Sequence, residues 1–67
     1  MNMNVMQSMS TVNIGTRRMR IVSNDSEVLF NGTLDELCRM EGYRELLKRE
    51  VHSVNDSKIN EVTFRLQ

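Results

Sequence analysis

The sequence predicts a small α+β domain in which an antiparallel sheet, made of a β-hairpin and a closing C-terminal strand, carries one helix packed on one face. Three observations lead there. Apolar and polar residues alternate on both sides of the turn cluster Asn24-Asp25-Ser26, Thr33-Leu34-Asp35-Glu36 has the form of a helix-starting capping box, and Glu61 to Gln67 alternates without interruption. A chain of 67 residues has material for one hydrophobic core, so a single domain over residues 11–67 is expected. Residues 1–10, rich in Met and Asn and without a sustained period of two or 3.6, are expected to form a flexible arm.

From Thr11 the pattern is that of a strand. Val12 and Ile14 alternate with polar neighbours, Gly15 interrupts, and Met19 and Ile21 then alternate against Arg18 and Arg20, which puts the two arginines together on the opposite face. After the turn, Val28 and Phe30 share one side and Leu29 takes the other, completing the hairpin. The Thr33 hydroxyl can take a free amide three residues on while Glu36 reaches back to the cap, and Leu37, Met40, Tyr43, Leu47 and Val51 recur at spacings of three and four, as on one face of a helix. Gly42 is the weak point of that helix and a candidate kink or break. Asn55-Asp56-Ser57 is a second turn cluster, and Val62, Phe64 and Leu66 then face one way against Glu61, Thr63 and Arg65. The expected core joins Met19, Ile21, Val28, Phe30, Val62 and Phe64 to Leu37, Met40 and Leu47.

Composition narrows the function classes. Nine basic and nine acidic side chains cancel, which removes the long-range field that draws a protein to nucleic acid or anionic lipid. No apolar run approaches the length that spans a bilayer, and Met1 to Gln7 lacks the form of a signal peptide, so a cytoplasmic protein without a membrane partner is expected. A single cysteine rules out an internal disulfide, and Cys38 with His52 falls short of the four ligands of a structural metal site, so neither metal nor cofactor is expected.

No catalytic constellation emerges either. Cys38 beside the apolar stripe reads as a small buried hydrophobe, and on one continuous helix the fourteen residues between it and His52 are about 21 Å of rise, too far for a dyad. The carboxylates Asp35, Glu36, Glu41, Glu45 and Glu50 read as a solvated helix face, with Asp35 meeting Arg39 and Glu45 meeting Arg49 at i, i+4. Gly15, Gly32 and Gly42 stand too far apart for a phosphate loop. A non-enzymatic protein is expected.

The concentrated feature is Arg17-Arg18-Met19-Arg20, which with Arg65 forms the candidate partner-binding set. These residues suit an acidic patch on a larger host protein, and the expected role is a small binding regulator or inhibitor, with phage or mobile-element origin expected from the small size and lack of other features. A homodimer, through an edge strand or the Met-rich arm, is expected to supplement so small a core. The alternative is a nucleic-acid-binding regulator. It would use the Arg17–Arg20 strand, or a helix-turn-helix within 34–51 in which Cys38, Gly42, Tyr43 and Val51 fit the scheme while Glu41 and Lys48 fall where apolar residues belong.

Overall fold

Strand signals on either side of residues 24–26 give β1 (Arg18–Val22) and β2 (Val28–Gly32), paired antiparallel in a computed structural model that describes residues 3–67. The turn between them is built by local side chains: Ser23 donates through its hydroxyl to Asp25 and accepts from the Glu27 amide at 3.1 Å. Ser26 turns the chain with φ 71°. The Ser23 hydroxyl, followed by the Glu27 amide, holds the Asp25 carboxyl below its ordinary pKa.

Thr33 then starts α2 (Leu34–Arg39) with the expected reciprocal cap, the Thr33 hydroxyl accepting from the Glu36 amide at 3.3 Å and the Glu36 carboxylate accepting from the Thr33 amide at 2.9 Å. The helix does not continue to Val51. Met40 is extended and Gly42 adopts φ 80°, a left-handed conformation that glycine takes without penalty, so the helix breaks there and α3 (Tyr43–Leu47) starts afresh. Val51 belongs to a strand, β3 (Val51–Asn55), which pairs antiparallel with β4 (Glu61–Leu66) across a turn in which the Asn55 side chain accepts from the Ser57 amide and hydroxyl.

The α+β class therefore holds, with two differences of arrangement. The sheet has four strands in the order β2-β1-β4-β3, and it is mixed: β4 lies parallel to β1, with Met19 beside Val62 and Ile21 beside Phe64. Two hairpins thus join through their first and last strands, because the segment between them is long enough to return the chain to the same end of the sheet. In place of one helix the described residues form three short ones, since the expected helix is split at Gly42 and residues expected as a flexible arm include α1 (Val5–Met9), capped reciprocally by Asn4 and Gln7. Met1 and Asn2 of that expected arm lie outside the described residues.

The core lies on one face of the sheet. Met19 and Ile21 from β1 and Val62, Phe64 and Leu66 from β4 are joined there by Val51, by Leu37 of α2, Leu46 of α3 and Val5 of α1. Leu46 rather than Leu47 takes the buried position, because the break at Gly42 resets the helical phase. Val12 and Ile14 lie in irregular backbone before β1 rather than in a strand, yet Ile14 is buried among the core residues. Val28, expected in the core, is 44% exposed: a bulge opposite Val22 inserts one extra residue, and Val28 falls on the other face.

One buried polar atom is unsatisfied. Ser8 in α1 is fully buried and its hydroxyl has no hydrogen-bond partner among the described residues. Ser8→Ala is expected to raise stability by about 1 kcal/mol in urea denaturation, the usual cost of such an orphan. Thr33→Ala is expected to lower it by about 1 kcal/mol through loss of the cap. The Thr33 amide, then its hydroxyl, holds the Glu36 carboxyl below its ordinary value of 4.5, so this contribution is present above that value and is lost as pH falls through the lowered folded-state pKa. Stability followed from neutral to acid pH should fall less steeply in Thr33→Ala than in the unaltered chain.

Candidate functional site

The core cluster lies on one side of the sheet, and the alternating positions define a second face, on which Val22 is 5% exposed and which no helix covers among the described residues. The strand register places its side chains: Arg20 stands between Asn31 of β2 and Thr63 of β4, Arg18 beside Glu61, and Val22 between Val28 and Arg65. On β3, Asn55 continues the row of Thr63 and Ser53 the row of Arg65. Three of the four candidate arginines, Arg18, Arg20 and Arg65, therefore share this face with polar neighbours.

Their environments differ. Arg18 and Arg20 are exposed, and Arg20 has no hydrogen-bond or ion-pair partner among the described residues. Arg18 exerts a through-space attraction on the Glu36 carboxylate. Arg65 is half-buried and donates through Nη1 to the Ser26 hydroxyl at 3.3 Å, which draws it toward the β1–β2 turn. Glu61 is the acidic side chain on the face, and Lys58 approaches it at 3.9 Å. A guanidinium pair held two residues apart on a strand can donate to carboxylate or phosphate oxygens, and the polar Asn31, Thr63 and Asn55 add donors beside it.

Arg17 does something else. Its guanidinium donates to the Ile59 carbonyl at 2.9 Å, the Asn13 carbonyl at 3.0 Å and the Lys58 carbonyl at 2.7 Å, and it pairs with the Asp56 carboxylate. It ties the β3–β4 connection to the segment entering β1, and its side chain is only 21% exposed. The sequence groups it with Arg18 and Arg20, but three of its four partners, Asp56, Lys58 and Ile59, stand about forty positions away, and no local signal reveals them.

The remaining chemistry-bearing residues stay dispersed. Cys38 is exposed on α2 rather than buried, because the short helix turns Leu37 inward and leaves its neighbour outside. His52 is exposed on β3, so the expected separation of the two along one helix does not apply; no hydrogen bond joins them among the described residues. Asp35 pairs with Arg39 at 3.0 Å as expected, while Glu45 meets Lys48 at 4.0 Å in place of Arg49, the helix having ended at Leu47. Among the described residues no three His, Cys, Asp or Glu side chains gather where they could hold a metal ion. No helix there is long and apolar enough to cross a membrane.

The chain matches no protein family, curated protein or solved structure with which it was compared.

Met6, Arg44, Leu47 and Lys48 line a shallow cavity of about 190 Å³. Met6 is 56% and Met3 42% exposed, so two thioether side chains of the N-terminal segment remain at the surface.

Removing the Arg17 side chain should destabilise the fold without touching the open face. Arg17→Ala is expected to cost about 2 kcal/mol, and Arg17→Lys to recover little of it because an ammonium cannot reproduce the planar fork of donors. Thermal melts of both variants beside Arg18→Ala, expected within about 0.5 kcal/mol of the unaltered chain, check the division between the arginines.

Proposed function

We propose that the protein is a small non-enzymatic regulator or inhibitor that acts in the cytoplasm by binding an acidic patch of a larger protein through the open face of its sheet. The observation that carries this reading is the convergence of Arg18, Arg20 and Arg65 on a face that no helix covers, while the core occupies the other side. An exposed guanidinium without an internal partner is free to form a charge-assisted pair with a carboxylate. Arg17, spent on the β3–β4 connection, drops out of the contact set.

Phosphate offers similar acceptor oxygens, which keeps the nucleic-acid reading as the alternative. Base stacking would need exposed aromatic side chains on the same face. Phe64 is fully buried on the core side, Phe30 packs against the core, and Tyr43 belongs to α3. For the helix-turn-helix variant, α3 has five residues, about 7.5 Å of helix, and runs on toward β3. Both facts favour a protein partner. Self-association belongs to the same reading, through the exposed Met3 and Met6 beside the shallow cavity, an adaptable apolar surface.

Affinity capture with the full chain at physiological salt should retain one stoichiometric protein partner, and the double variant Arg18→Glu, Arg20→Glu should lose it. Arg39→Glu, on the helical side, should keep it. Retention by the double variant, or recovery of nucleic acid that elutes steeply with salt, would overturn the proposal. Light scattering should give a dimer mass for the isolated chain and a monomer mass for Met6→Glu.

A further inference from the structure

The two outer edges of the sheet are treated differently. Beside β3 the chain lays its own N-terminal segment: the Val51 amide donates to the Met3 carbonyl at 2.8 Å, the Val5 amide to the Arg49 carbonyl at 3.0 Å, and Asn4 bridges Glu50 in antiparallel fashion. β3 also carries an irregularity between Val51 and Ser53 that interrupts its ladder. At the other edge, β2 has no neighbour beyond it among the described residues. Its residues Val28, Leu29, Phe30, Asn31 and Gly32 include neither a charge nor a proline, two devices that usually discourage pairing at an edge. Its bulge lies at the Val28 end, which leaves Phe30 to Gly32 in regular register with β1.

We propose that β2 accepts an extended acidic segment of the partner as a fifth strand, with carboxylates at alternate positions directed at Arg20 and Arg18. The proposal rests on the reading of the open face given above and adds the conformation and chemistry of what binds there. Arg20 lies directly across from Asn31, one strand in from the edge. An added strand would run about 9.6 Å from β1, two inter-strand spacings, a gap that an arginine and a glutamate side chain leaning toward each other can close. Carboxylates at i and i+2 of an extended segment are about 6.8 Å apart and on one face, the same spacing and facing as Arg18 and Arg20. Main-chain hydrogen bonds would supply affinity, and the two charge pairs would select the sequence.

A second copy of the chain fits this edge poorly. Its β2 would bring Val28 and Asn31 to the face where carboxylates are wanted, and its own Arg18 and Arg20 would add like charge. A nucleic acid has no peptide groups to extend the ladder.

The test uses the full chain, isotopically labelled for amide resonances, and a pool of ten-residue peptides in which Asp or Glu alternates with Val, Ile or Thr. Expected are shifts and exchange protection at β2 amides, binding about tenfold weaker for Arg20→Glu, and the same loss when the carboxylates are replaced by their amides. Peptides N-methylated at alternate amides, on whichever edge faces β2, should lose binding altogether. Binding that survives N-methylation on either edge but not Arg20→Glu would overturn the added strand while leaving the acidic-partner reading intact. Absence of binding by the whole pool, pairing of β2 with a second copy, or shifts produced only by an oligonucleotide would overturn the proposal itself.

Discussion

Parallel pairing of β4 against β1 is the constraint from which the rest of the arrangement follows. These strands supply Met19, Ile21, Val62 and Phe64, all fully buried, and a change at any of them reaches both hairpins at once. Deleting a large side chain from such a position costs about 3–5 kcal/mol, comparable with the whole stability of a domain this size. Parallel strands cannot be joined by a tight turn, so the chain must cross from one end of the sheet to the other between them. Here β2, α2, α3 and β3 make that journey, and both helices end up over the core face. The Arg17 side chain secures the start of the pairing: its bonds to Asp56, Lys58 and Ile59 hold the loop before β4, and the Arg18 amide donates to the Asn60 carbonyl at 3.0 Å just before the strands meet.

What was legible in the sequence was what local chemistry decides. The capping box at Thr33, the hairpin around Asn24 to Ser26, the alternation of β4 and the weakness at Gly42 are all set by residues within four positions of one another. The missed elements share a different property. Val51 of β3 follows Leu47 by four, which imitates helical spacing, and the two helices before it pack over the same sheet face, so their apolar residues prolong the imitation across the break. α1 is five residues long and has too few turns to display a period. Parallel pairing is a choice between registers that no single segment records.

The same division runs through the candidate site. Alternation alone puts Arg18 and Arg20 on one face, and it does so correctly. Bringing Arg65 to them needs the β1–β4 pairing, and separating Arg17 from them needs loops from the far end of the chain. Cys38 shows the reverse error: a cysteine next to Leu37 looks buried if the helix is long, but one turn and a half of helix can turn only one narrow stripe inward, and Leu37 occupies it.

The formal charge of zero conceals how the charges are distributed. On the open face Arg18, Arg20 and Arg65 outnumber Glu61, while residues 34–47 of the helical side carry Asp35, Glu36, Glu41 and Glu45 against Arg39 and Arg44. A molecule of this kind has little net field beyond the screening length of about 8 Å at physiological salt, so it does not gather partners from a distance. On the proposed reading, attraction begins only when a carboxylate is already close to the sheet. Recognition would then depend on shape and on the main chain as much as on charge, and an open edge strand beside the two arginines is a feature of this surface that could supply both.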